Sequence, residues 1–251
     1  MLNRVTGFFR RGRPRGPSRL DRIELAQLLS RFPALRDLEQ QHQARLIIRA
    51  REILEAKSFL GADGFEPTDQ DCAAIALLAA LPIAKRGLRW YEQFHTFIVY
   101  PDAFVSEIEE VDEQGLVHVG RDLRSGEAWQ RGPVVLAMSD VWQSGQGHGF
   151  NVVVHELAHQ IDHRNGDADG FPLLPQSMRQ DTWTEAFTAA WDRLNAEIEQ
   201  GIQPGLDPYA AESPAEFFAV ASEMFFDAPD WLRGDYPALH HQLSALYGYS
   251  P

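Results

Sequence analysis

The chain contains a single cysteine, Cys72, and so can form no internal disulfide. It lies in the apolar run Cys72-Ala73-Ala74-Ile75-Ala76-Leu77-Leu78, where a small buried hydrophobe is the expected role. Nothing in this usage points to an oxidising compartment. No segment approaches the ~20 apolar residues of a membrane span. The start, Met1-Leu2-Asn3-Arg4-Val5-Thr6-Gly7-Phe8-Phe9-Arg10-Arg11, lacks the unbroken apolar stretch of a signal peptide, because Arg13, Pro14, Arg15 and Pro17 follow at once. A cytoplasmic location is expected by elimination. Positive charge is in deficit: 23 Lys and Arg stand against 36 Asp and Glu, a net charge of −13. That balance disfavours nucleic acid as a direct partner, since phosphate binding needs a net basic surface. No internal repeat is visible.

What is present is an ordinary globular mixture over 251 residues, enough for one large domain or two small ones. The Pro, Gly and Arg bias of residues 1–19 predicts a disordered basic tail, although Leu2, Val5, Phe8 and Phe9 could touch anionic lipid. Residues 20–251 read as one domain whose first part, about 20–95, is a helical subdomain. There Leu38, Leu46, Ile47, Ala50, Ile53 and Leu54 repeat at a helical period. Thr68-Asp69-Gln70-Asp71 reads as a helix start with an acidic first turn, and that helix should stop near Pro82. Between 95 and 141 the pattern changes to short β-branched or aromatic runs, Thr96 to Tyr100, Leu116 to Val119 and Pro133 to Met138, separated by glycines; these predict a small mixed sheet. From about 149 onward the pattern is helical again. Helices, then a small sheet, then helices favour an α+β fold.

The stretch that carries chemistry is Val152-Val153-Val154-His155-Glu156-Leu157-Ala158-His159-Gln160-Ile161-Asp162. On a helix, His155 and His159 are four residues apart and share a face, so both imidazoles can reach one ion. Glu156, beside the first histidine, can reach a water on that ion and take its proton. Asn151 is a plausible N-cap, and the valines, poor helix formers, predict strong burial. Two histidines leave a catalytic zinc one protein ligand short. The helix opened by Ser213 and Pro214 offers Glu216 in its first turn, where the helix dipole keeps a carboxylate ionised. Ser213-x-x-Glu216 is equally a capping box, and spacing alone does not choose between ligand and cap.

These pieces together resemble the Mlc titration factor A family of bacterial zinc peptidases, itself distantly similar to the anthrax lethal factor catalytic domain. The matching residues are Gly149-Phe150-Asn151 leading into His155-Glu156-Leu157-Ala158-His159, then Asp162 and Arg164-Asn165-Gly166-Asp167. Tyr209-Ala210-Ala211, Pro214-Ala215-Glu216, Phe218-Ala219-Val220, Ser222-Glu223 and Phe225-Phe226 continue the match. Weaker similarity extends it to roughly residues 20–250, leaving out the arginine-rich start. The resemblance implies a zincin-like fold of the gluzincin type, one catalytic Zn2+ held by His155, His159 and Glu216, and Glu156 as the base. It places Tyr209 where the family has a tyrosine that assists the transition state; an aromatic anchor in a loop is the plainer role for that residue. It also implies aminopeptidase-like activity on short peptides, and binding to the glucose-responsive repressor Mlc in enterobacteria.

The expected activity is therefore hydrolysis of peptide bonds by water that Glu156 activates. The alternative is a regulatory protein that sequesters a transcriptional repressor, with a structural or vestigial zinc; a third reading is a binding module without metal. Glu156 argues against a purely structural site, which has no use for a base. Three further expectations concern the surroundings. The strand from Pro133 to Ser139 should be the open sheet edge that binds substrate by main-chain pairing. Asp162, on the metal face beyond the last histidine, should support the ligands or tie the helix to the next loop. Glu223, two turns after Glu216, should accept a hydrogen bond from His155 or His159 and so orient the ring.

Overall fold

The computed structural model describes residue 20 and residues 23–111, 117–124, 126–128 and 132–251. The tail expected over 1–19, with its lipid-facing residues, lies outside the described residues. The first half begins with α1 (Leu25–Ser30), α2 (Pro33–Arg36) and α3 (Gln40–Ala56), followed by β1 (Ser58–Gly61) and α4 (Asp69–Ala79). Thr68 starts α4 through a reciprocal cap: its side chain accepts from the Asp71 N–H while the Asp71 carboxylate accepts from the Thr68 N–H. Every residue of α4 from Asp71 to Ala79 is buried. A helix without a polar face is a core helix, and α4 packs against α3 and against the helix that carries the histidines. It ends at Ala79, ahead of Pro82.

The sheet has the order β1-β2-β6-β5. β2 (Thr96–Tyr100) runs parallel to β1, pairing Ser58 with Thr96, and β6 (Val134–Ala137) runs parallel to β2, pairing Phe97 with Val134. β5 (Gly126–Ala128) closes the sheet antiparallel to β6, pairing Gly126 with Leu136. β3 (Phe104–Val111) and β4 (Val117–Arg124) form a separate antiparallel ribbon. The fold is thus α+β, mostly helical, around a small sheet of three parallel strands and one antiparallel edge.

Three expectations are corrected here. Strand β1 lies inside the segment read as helical, because four residues are too few to show a period and only pairing with β2 makes them a strand. Among the described residues the ribbon β3–β4 does not join the sheet. The stretch from Pro133 to Ser139 is not the open edge: it is paired on both sides, by β2 and by β5, and all four residues of β6 are buried. A continuous Val-Val-Leu-Ala run is what two-sided burial demands. Among the described residues the edge is β5, whose three described residues are too few to read from sequence.

The second half runs from α5 (Met138–Gln143) through α6 (Val152–Asp162), α7 (Gln180–Glu199), α8 (Pro214–Asp227) and α9 (Pro229–Asp235) to α10 (Pro237–Tyr247). Asn151 caps α6 by accepting from the Val154 N–H at 3.1 Å. Val152, Val153 and Val154 are buried, and that burial overcomes their low helix propensity. The N-terminal and C-terminal helices share one hydrophobic cluster that reaches from Leu20 to Tyr249. Among the described residues no helix is long and apolar enough to cross a membrane. Helix α8 is fixed in this core by α10: the Tyr247 hydroxyl donates to Ser222 Oγ at 2.7 Å, and Ser222 donates to the Phe218 carbonyl at 2.7 Å. Tyr247→Phe removes one buried bond and leaves the serine satisfied. It is expected to cost about 0.5–1.5 kcal/mol, read as a lower urea midpoint at constant slope.

Candidate metal centre

His155 and His159 project from successive turns of α6, with their Nε2 atoms 3.2 Å apart. Helix α8 begins opposite them. Ser213 Oγ accepts the Glu216 N–H at 3.2 Å, so Ser213 caps the helix, while the Glu216 side chain turns to the histidines instead of back to the cap. Its Oε2 lies 3.0 Å from His155 Nε2 and 3.4 Å from His159 Nε2. The three residues form a group that could hold a metal ion, with ligand atoms all within 4.8 Å of one another.

Several observations fit a cation between them. Glu216 Oε2 is buried and, among the described residues, makes no hydrogen bond, although buried polar groups are normally satisfied. The contacts to the imidazoles have the distances of ion pairs without hydrogen-bond alignment. An ion with tetrahedral ligands at about 2.0–2.1 Å spaces its donor atoms about 3.3–3.4 Å apart, close to the separations above. His155 Nδ1 lies 2.7 Å from Glu223 Oε1; a ring that donates there from Nδ1 has, when neutral, a lone pair at Nε2. Burial disfavours ionisation of Glu216, but the two imidazoles more than reverse this and hold its carboxyl well below the usual range. Burial likewise opposes a charge on His155, yet Glu223 and Glu216 outweigh it and raise its pKa well above the ordinary value. The pocket attracts positive charge.

Glu223 does more than face a ring. Its Oε2 accepts the Asn151 N–H at 2.6 Å, so one carboxylate holds both His155 and the first residue of the α6 cap. Asp227, one turn further, accepts the N–H groups of Gly147 at 3.0 Å and Gly149 at 2.5 Å. Both glycines have positive φ, 86° and 84°, a conformation that other residues rarely adopt. Gly149 also abuts α8: a Cβ there would fall 2.5 Å from Met224 Cε. The loop held in this way brings His148 and Phe150 to the wall of the cleft. Gly149 was readable as a loop residue, but nothing in the sequence pointed to Asp227 as its partner 78 residues away.

Glu156 faces the same cleft, 4% exposed. Burial pushes its carboxyl up to about 7, against the opposing pull of His155 and His159. Tyr209 lines the cleft from the short turn Pro208–Ala211, its ring 6.0 Å from that of His155. Asp162 is buried at the end of α6, where Oδ2 accepts the Gly170 N–H at 2.7 Å and ties the following loop to the helix. Among the described residues its Oδ1 has no hydrogen-bond partner, and burial pushes the carboxyl up to about 6. The cleft encloses about 840 Å³; its lining includes Glu156, Asp207, Glu212, Glu216 and Glu223 and, among the described residues, no lysine or arginine.

Comparison with known proteins bears on this arrangement. The family described as glucose-regulated metallo-peptidase M90 matches residues 9–248. Mlc titration factor A of Escherichia fergusonii is 40% identical over 224 residues, which are 88% of this chain and 84% of that protein. The proteins of the same name from Salmonella typhimurium and Salmonella enteritidis match with the same identity and coverage.

Two predictions test the supporting groups. Glu223→Gln keeps the side chain's shape but removes the charge beside His155, and should weaken metal binding, assayed with zinc, by about 10–100-fold, measured by competition with a chromogenic chelator. Unchanged affinity would show that the contact orients nothing. Asp162 shifts from its ordinary 3.8 to about 6 on folding. The folded chain then binds the proton more tightly, so stability falls as pH rises through the window between those values. At 1.36 kcal/mol per pKa unit the loss is about 3 kcal/mol. Urea denaturation of chelator-treated protein should show a fall that is steeper in the wild type than in Asp162→Asn by about this amount, because Glu156, also raised on folding, adds its own fall to both.

Proposed function

Because the chain belongs to the glucose-regulated metallo-peptidase M90 family, we propose that it is a zinc-dependent peptidase of the gluzincin type, aminopeptidase-like in its action, with His155, His159 and Glu216 as the zinc ligands. The observation that carries this reading is the convergence of three donor atoms at 3.0, 3.2 and 3.4 Å, with Glu156 on the same cleft wall. Zinc held there would lower the pKa of a water to about 7 and polarise the scissile carbonyl. The chain's own residues do the rest. Glu156, the base, accepts a proton from the attacking water and returns it to the leaving amine nitrogen; burial suits its carboxyl to both transfers. Glu223 holds the His155 ring, and Asp162 ties the loop beyond α6. Tyr209, 45% exposed, presents its hydroxyl to the oxyanion that develops on the carbonyl.

An extended peptide would enter as an added strand on β5, the last strand of the sheet. The carboxylate-rich lining favours a peptide's positively charged amino end over its carboxylate, in keeping with aminopeptidase-like action. A cytoplasmic location belongs to the same proposal. A second activity, capture of a transcriptional repressor, is supported by the relatives' name, Mlc titration factor A.

The test is the zinc content and peptidase activity of the purified protein against Glu156→Gln. The variant should keep its zinc and lose activity about 10²–10⁴-fold, the range of general acid–base catalysis. Chelation should abolish wild-type activity and added zinc restore it. Full activity in Glu156→Gln would overturn the mechanism, and repressor binding that survives in it would separate the two activities.

A further inference from the structure

Strand β5 and helix α6 approach each other at Gly126. A Cβ built on Gly126 would fall 2.4 Å from Glu156 Oε1, 2.7 Å from its Cγ and 2.8 Å from its Cδ, whereas non-bonded carbon atoms settle about 3.5–4.0 Å apart. Gly126 is not among the glycines with positive φ, so its backbone is open to any residue. The position needs the space that a missing side chain leaves, which is how a glycine inside a strand marks a close approach. The three nearest atoms that a Cβ would meet all belong to the Glu156 side chain. The fold can therefore yield to a larger residue by moving that carboxylate, without moving backbone.

We infer that Gly126 is a positioning residue for the reaction: by presenting bare backbone it lets the substrate-pairing edge of β5 lie directly against Glu156, and so sets the distance between a paired peptide and the group that handles its protons. The inference rests on the peptidase reading above. Gly126 and Glu156 both line the cleft, and β5 pairs with β6 on its other side. A peptide added to the open side of β5 would run past Gly126 with no side chain between the strand and the base. A methyl group there drives the Glu156 carboxylate aside, so the base no longer meets the reacting water at its working distance.

The experiment compares wild type, Gly126→Ala, Glu156→Ala and the double variant. An aminoacyl p-nitroanilide is the substrate, and zinc per chain, Tm and a crystal structure of Gly126→Ala are read alongside. Gly126→Ala should keep its zinc and its Tm, hold KM within about threefold and lose about 100-fold in kcat, the cost of a misplacement near 1 Å. The crystal should show the Glu156 carboxylate displaced. In the Glu156→Ala background, where all three contacted atoms are gone, the same substitution should cost less than about fivefold in the residual rate, because the two sites are coupled through that one contact. An unchanged kcat, an equal penalty in both backgrounds or an unmoved Glu156 would each overturn the inference. Should Gly126→Ala fail to fold, the double variant decides: recovery of folding places the clash at Glu156, and continued failure places it elsewhere and refutes the proposal. If the wild type shows no zinc-dependent hydrolysis, the peptidase reading falls, while the position of Glu156 in the Gly126→Ala crystal still decides the geometry.

Discussion

The site depends on one helix delivering three carboxylates to its neighbour. Glu216, Glu223 and Asp227 are seven and four residues apart, and at about 100° per residue they fall within a stripe some 40° wide along α8. Each meets a different part of the segment that opposes it: the two ring nitrogens, then His155 Nδ1 with the Asn151 N–H, then the N–H groups of Gly147 and Gly149. A buried carboxylate is tolerated only with such partners. The same bonds therefore stabilise the crossing of α6 and α8 and aim the histidines. Orientation of the rings and packing of the helices are one set of interactions.

That crossing is pressed together by apolar contacts around it. Phe217, Phe218, Phe225 and Phe226 are buried on α8, and Trp183 and Phe187 of α7 stack at 3.9 Å between ring centroids beside them. The aromatic packing supplies the burial that makes unpaired charge costly, and the carboxylates then select one arrangement of loop and helix. Glycine serves the same crossing in two ways. Gly147 and Gly149 supply a backbone conformation that offers two N–H groups to Asp227, while Gly126 supplies room for β5 against Glu156.

Much of the fold and centre was legible in the chain because it depends on neighbours in sequence. The spacing of His155 and His159 puts them on one helical face, Asn151 and Ser213 cap the helices that follow them, and Thr68 with Asp71 opens α4. Other features were not legible. β1 and β5 have four and three residues, too short for a periodic signal, so each exists as a strand only through its pairing. For that reason the stretch after Pro133, apolar and strand-like, could be read as an edge when β5 in fact covers it.

The sequence by itself determined the chemistry available: two imidazoles and a carboxylate at fixed offsets on one helix, carboxylates two turns apart on another, and an acidic chain with one thiol. These follow from the helical repeat and residue type, which are local. Only the tertiary structure decided that Glu216 turns to the histidines while Ser213 caps its backbone, that Glu223 divides its two oxygens between His155 and Asn151, and that Asp227 and Gly126 belong to the site at all. Those choices join residues dozens of positions apart. They are settled by which buried polar groups find partners when the helices pack, and no local pattern encodes that.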